Sequence, residues 1–291
     1  MSAITLPTTI LEVPRTYRPP SGYYDLPCHW VFSGADLVNG INALKQSVRI
    51  DHGYGDFYLR RCCGMASVLG IKTGQFQIKN GVGLDFLQVG PVYVNNAQDE
   101  MSYPVEELYP EDGAIRFDLY NPLKQTVSPQ IVFFGIGRHP GDMNPMEIQA
   151  GYPFPFLPKT EIYTSSVTIA SWASGGVPSP TISAIQRVLN YDFDLLKIEL
   201  AYSSPGGPIN SVAGLTLFDA ARQQTSNHPI NDQYWNGNVN QPNATAMGAV
   251  IPPLFYPQGS NLRLDLTPLS IGALGNIVVT VSFVGRNRIP L

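Results

Sequence analysis

Tyr109-Pro110-Glu111-Asp112-Gly113-Ala114-Ile115-Arg116-Phe117-Asp118-Leu119 is answered, without a gap, by Tyr256-Pro257-Gln258-Gly259-Ser260-Asn261-Leu262-Arg263-Leu264-Asp265-Leu266. In each copy the apolar residues alternate with the charged ones: Ile115, Phe117 and Leu119 against Arg116 and Asp118, and Leu262, Leu264 and Leu266 against Arg263 and Asp265. That period of two is the mark of a strand with one face on a core and one face carrying ions. After each copy comes an apolar run closing on Gly, Arg and Pro. The first is Phe133-Phe134-Gly135-Ile136-Gly137-Arg138-His139-Pro140, and the second is Phe283-Val284-Gly285-Arg286-Asn287-Arg288-Ile289-Pro290. A repeat this long is not a solenoid unit. It predicts two complete domains of one fold, fused.

Fainter echoes lie upstream in the same order. His29-Trp30-Val31-Phe32-Ser33-Gly34 parallels Ser171-Trp172-Ala173-Ser174-Gly175, Asp56 to Arg61 parallels Asp192 to Lys197, and Gly74 to Ile78 parallels Gly214 to Phe218. The pattern places a first domain over 22–145, a Pro- and aromatic-rich linker over 146–159, and a second domain over 160–291. The second domain departs from the first in a long loop, 223–253, rich in Asn, Gln, Pro and Gly. Helix signals are weak, the best being Ala35–Ser47 and then Ser183–Asn190. Many short strands with antiparallel patterning predict an all-β chain of two tandem antiparallel β-sandwiches of Greek-key or jelly-roll type. Residues 1–21 read as an extended N-terminal arm. Pro7, Pro14, Pro19 and Pro20 forbid helix there, while Ile4, Leu6, Ile10 and Leu11 make it more apolar than a solvated tail.

The 291 residues suffice for two domains, and apolar residues at 44% suffice for two cores. Charged residues are only 14%, which on composition alone suits equally a surface covered by other protein and a loop-rich monomer with an Asn, Gln and Ser surface. A net charge of −4 calls for no nucleic acid. Met1 to Tyr24 lacks a basic start followed by an apolar block, so no signal peptide is expected, and no apolar run spans a bilayer; whether any surface meets a membrane is left open. The three cysteines, Cys28, Cys62 and Cys63, read as reduced, buried thiols, with Cys62 and Cys63 on opposite faces of one strand.

No nucleophile elbow, phosphate loop, C-x-x-C or H-E-x-x-H occurs. The expectation is a chain that is not an enzyme and holds no cofactor or metal. Glu106, Glu107, Glu111 and Asp112 read as a solvated acidic turn, with a Ca²⁺ loop as the alternative. Arg116/Asp118 and Arg263/Asp265 have the spacing of same-face ion pairs. The residues of the repeat signature (Tyr109, Arg116, Asp118, Gly135, Arg138, Tyr256, Arg263, Asp265, Gly285, Arg288) recur in both halves, so they are read as architecture. Tyr234 and Trp235 in the long loop are candidates for a sugar-binding or partner-binding platform, though packing of the loop against its own sandwich or a neighbouring subunit is the favoured reading of the same rings.

Tandem sandwiches carrying Tyr-Pro-x-x-x-x-Ile/Leu-Arg-x-Asp-Leu and then Phe-x-Gly-x-x-Arg resemble the jelly-roll virion proteins of bacterial viruses, either double jelly-roll capsid proteins or capsid-associated proteins. The resemblance covers both halves. It implies two fused sandwiches standing side by side, and a homo-oligomer in which three chains form a pseudo-hexagonal block. Partners would be other copies and other virion proteins, with the arm laid onto a neighbouring subunit. The implied location is the virion, after synthesis in the host cytoplasm. The family implies no catalytic residue. A tail or receptor-binding module that binds glycans is the competing reading.

Overall fold

In the computed structural model the described residues are 20–34, 40–66, 75–83, 85–87, 92–93, 101–121, 129–152, 155–170, 180–203, 213–236, 249–268 and 275–291. The first half contributes strands β1 (Tyr23–Ser33), β2 (Gly40–Arg49), β3 (Asp56–Ala66), β4 (Gln75–Ile78), β5 (Val92–Tyr93), β6 (Met101–Tyr109), β7 (Ala114–Asn121) and β8 (Pro129–Pro140). Helix α1 (Pro145–Gln149) follows. The second half contributes β9 (Phe156–Ile169), β10 (Ile182–Arg187), β11 (Asp192–Ser203), β12 (Ala213–Phe218), β13 (Ile230–Asn231), helix α2 (Asp232–Asn236), β14 (Ala249–Tyr256), β15 (Asn261–Pro268) and β16 (Ile277–Pro290).

The first half forms two four-stranded antiparallel sheets ordered β1-β8-β3-β6 and β2-β7-β4-β5. The second forms β9-β16-β11-β14 and β10-β15-β12-β13, the same order strand for strand. Eight strands in this order make a jelly-roll sandwich, so the chain is two jelly rolls related by duplication. Of the expected arm, residues 1–21, all but Pro20 and Ser21 lie outside the described residues.

The duplication extends to individual hydrogen bonds. Tyr109 lies across from Phe57, and Tyr256 across from Phe193. The Tyr109 hydroxyl donates to the Lys79 carbonyl at 2.7 Å, and the Tyr256 hydroxyl to the Phe218 carbonyl, tying one sheet to the other in each sandwich. Burial raises both phenol pKa values. The turn after each tyrosine closes with Gly113 N–H on Pro110 O at 2.9 Å and Ser260 N–H on Pro257 O at 3.0 Å. Its corner has φ +62° at Asp112 and +83° at Gly259, the left-handed region that Gly takes freely and Asp tolerates. Asp56 then accepts the Glu111 N–H at 3.0 Å, and Asp192 accepts the Gln258 N–H at 2.7 Å. The register shifts between Leu59 and Arg61 in β3, and between Leu195 and Lys197 in β11. The bulge was copied with the strand.

Gly135 and Gly285 have one job in common. A β-carbon at Gly135 would overlap the Tyr58 carbonyl and the Phe57 ring, and one at Gly285 would overlap the Asp194 carbonyl and the Phe193 ring. Each glycine makes room for a core phenylalanine ring against an inner strand of its sheet.

Several expectations are corrected. Residues 40–49 are strand β2, not the second part of a helix, because pairing with β7 (Gln46 across from Phe117) outweighs a weak helical pattern already broken by Gly40. Residues 182–187 are likewise strand β10, paired with β15. β9 occupies the place of β1: Cys28 sits across from Gly135 and Glu161 across from Gly285, so the counterpart of His29 is Ile162 and not Ser171. The Gly74/Gly214 alignment is one residue out, since Phe76 pairs with Leu119 and Leu215 with Leu266. The Asp56/Asp192 alignment holds, Asp56 facing Arg138 and Asp192 facing Arg288. The segment read as a linker, 146–159, holds most of α1 and the first residues of β9.

Gly285→Ala is expected to lower stability by about 1–3 kcal/mol through overpacking, and Gly135→Ala to do the same in the first sandwich; urea unfolding of the two variants checks this.

Candidate functional site

The two sandwiches meet in a buried seam, and the most specific chemistry among the described residues lies there. Successive side chains of β1 point to opposite faces. Cys28 and Trp30 enter the first core, while His29 (1% exposed) and Val31 turn toward the second sandwich. On β8, Ile131 and Phe133 point inward, and Val132 joins the second core. Cys62 belongs to the first core and its neighbour Cys63 to the second, on the two faces expected of them, and all three cysteines are buried and outside any disulfide. A sheet covered on both faces explains why Ile131-Val132-Phe133-Phe134 shows no alternation.

The second sandwich supplies the segment from Gln224 to Trp235. His29 N–H donates to Thr225 O at 3.0 Å, and His29 and Ser226 form a parallel β-bridge. Asn227 holds Val31 at both backbone groups, its Oδ1 accepting the N–H at 2.7 Å and its Nδ2 donating to the carbonyl at 3.2 Å. Gln130 donates to Pro229 O at 3.2 Å and accepts the Asn231 N–H at 2.9 Å, while the Tyr54 hydroxyl reaches Gln224 O at 3.1 Å. The open edge of β1 is thus closed in cis by a stretch of the long loop.

Tyr234 and Trp235 sit at the centre of this seam, each 1% exposed. The His29 Nε2 lies 3.2 Å from the Tyr234 hydroxyl, and the His29 ring is 5.6 Å from that of Trp235 and 4.9 Å from that of Phe134. Of the two readings of these rings the packed one fits: both are buried between the sandwiches, and neither presents a face to a sugar. Asp232 anchors the helix that carries them, its Oδ2 accepting from Tyr202 at 2.7 Å and from Ala213 N–H at 3.3 Å. Burial, then the nearby Arg61 guanidinium, push the His29 imidazole down to about 3.

The charged signature residues divide between the copies. Arg263 and Asp265 form the expected bidentate pair, 2.8 Å at both contacts, with the guanidinium over the Phe218 ring. Among the described residues no ion pair joins Arg116 to Asp118; Lys45 instead stands across from Asp118 on β2, and these groups line a shallow, open depression with Lys79 and Ser47. Arg138 grips the buried Asp25 through two contacts of 2.8 and 2.9 Å, and that bonding raises its pKa. Its counterpart Arg288 bonds Asp194 and Glu147, each at 2.7 Å, and lies over the rings of Tyr152, Phe156 and Phe255. Glu147 lies on α1, so the connection between the sandwiches is pinned to the second one.

The acidic turn is used locally. Glu106 pairs with Arg60, Glu107 accepts the Gly81 N–H, Glu111 accepts the Gly53 N–H, and Asp112 lies near Arg49 and His52. Among the described residues no group of three or more His, Cys, Asp and Glu side chains is placed to hold a metal ion. No helix among them is long and apolar enough to cross a membrane.

No protein-family model matches the chain, and no curated protein matches it. Among solved structures the chain is similar to a turret protein of Sulfolobus turreted icosahedral virus, at 12% identity and a TM-score of 0.18, over 90% of this chain and 98% of that one. It is also similar to the PBSX exported protein XepA, at 11% identity and a TM-score of 0.21, over 87% and 86% of the two chains. Superpositions at these values establish no common function.

An unfolded histidine takes up a proton near pH 6.5, whereas folded His29 does so only near 3. Between those values the unfolded chain binds more protons, so stability falls as pH falls, by up to about 1.4 kcal/mol per pH unit from this site. His29→Gln removes that slope. The difference between wild-type and variant urea stabilities is expected to narrow from pH 7 to pH 4.

Proposed function

We propose that the chain is a structural virion protein of a bacterial virus, a capsid or capsid-associated building block acting through contacts with its own copies. The observation that carries this reading is the double jelly roll itself. Two eight-stranded sandwiches of one topology are welded by a buried seam, and the side chains most suited to chemistry (His29, Tyr234, Trp235) are consumed in joining them. Jelly rolls serve shells and lectins alike. The lectin alternative drew on Tyr234 and Trp235, and their burial withdraws its support. Low charge and large apolar side chains left at the surface, among them Leu157, Ile162, Leu189 and Val278, suit a subunit partly covered by neighbours. On this reading the chain is not an enzyme, its partners are copies of itself and other virion proteins, and it resides in the particle after synthesis in the host cytoplasm.

Light scattering coupled to size exclusion is expected to give a concentration-dependent oligomer, a trimer of three times 31.8 kDa. A monomer at every concentration would remove this reading.

A further inference from the structure

The edges of the two large sheets are treated unequally. The edge of β1 is closed by Thr225–Asn227. β6 carries Pro104, and β14 carries Pro252 and Pro253, which cannot donate to an added strand. Among the described residues β9 is paired on one side only, with β16. Its protective residues, Pro158, Lys159 and Glu161, sit in its first half. From Ile162 to Ile169 it reads Ile-Tyr-Thr-Ser-Ser-Val-Thr-Ile, uncharged and rich in β-branched residues. By register Ile162 and Thr164 occupy the places of His29 and Val31, whose N–H groups point out of the sheet and are bonded by the second sandwich. Among the described residues nothing bonds the N–H groups of Ile162 and Thr164. A long uncharged strand edge left open is a template for another strand.

We infer that this edge receives the N-terminal arm of a second copy of the chain, which adds as a fifth strand beside Ile162–Ile169. The inference rests on the structural reading above and names its contact. The arm has the required composition: Thr8-Thr9-Ile10-Leu11-Glu12-Val13 lies between Pro7 and Pro14, a β-favouring stretch bounded by breakers and short enough for the edge. The 19 residues before Pro20 can span roughly 60 Å when extended, enough to reach across to a neighbour. The described chain begins at Pro20, three residues before β1, whose own edge is already filled. The long loop closes the first sandwich in cis, and the arm closes the second in trans.

The test mixes two full-length chains, one carrying Thr9→Cys and the other Ser166→Cys, and adds a short bismaleimide; the three natural cysteines are buried. Cross-linked dimers between the two chains are expected. Thr164→Pro in the Ser166→Cys chain removes an outward N–H without removing a bond within the sheet, and is expected to cut the cross-linked fraction about tenfold. Thr164→Ser is expected to leave it within about twofold, and circular dichroism confirms that both variants fold. Absence of the mixed dimer, or a yield indifferent to Thr164→Pro, overturns the inference. So does cross-linking confined to a doubly substituted chain and unaffected by dilution. If oligomers persist while the mixed cross-link is missing, the arm contact fails and the structural reading stands; a chain monomeric throughout removes both.

Discussion

The architecture depends on the backbone of one edge strand being satisfied by a loop from the other half of the chain. β1 offers its N–H groups outward at His29 and Val31, and Thr225 and Asn227 take them. This contact brings Val31, Cys63 and Val132 into the second core and leaves no solvent face on the middle of that sheet. It also fixes where Tyr234 and Trp235 must go. A buried imidazole with lowered basicity follows from the same closure, since the histidine whose backbone is paired lies under two aromatic rings.

What was kept in both halves is a small mechanical kit, and each part acts on the backbone. The tyrosine hydroxyl bridges the two sheets, the tight turn is held by an aspartate, the bulge bends the third strand, and the glycine admits a phenylalanine ring. The charged residues drifted. Arg138 pairs with Asp25, while its counterpart Arg288 reaches Asp194 and a helix outside the sandwich. Interactions that set strand paths tolerated less change than those that decorate the strands.

The sequence disclosed this kit because its residues are chemically unusual and closely spaced. Tyr109 to Leu119 and Tyr256 to Leu266 could be aligned by eye, and the alternation within them named the core face. β6 and β14 were hidden by their prolines, which are permitted because both strands are edges, a fact that only the sheet order supplies. The role of the long loop was hidden for a different reason. Nothing in Thr225-Ser226-Asn227 signals a partner some two hundred residues away in sequence, and an exposed Trp and a Trp wedged between sandwiches look alike in a string of letters. The offset between the halves is not constant either, since insertions fall between strands, so alignment by offset set β9 too late and β4 one residue out.

The divergence of the two outer sheet faces carries a consequence for growth. The join between the sandwiches is head-to-tail, and a duplicated unit that kept the same face twice would go on adding neighbours without end. Where the first sandwich has Val31, Val132 and Cys63, the second has Thr164, Ser282 and Glu199 at the matching positions. Hydroxyls and a carboxylate there do not repeat the greasy contact, so the second sandwich does not offer again the face by which the first one joins it. Duplication copied the fold but not the adhesive face, so any contact the second sandwich makes with a neighbour must use different chemistry from the one that joins the halves.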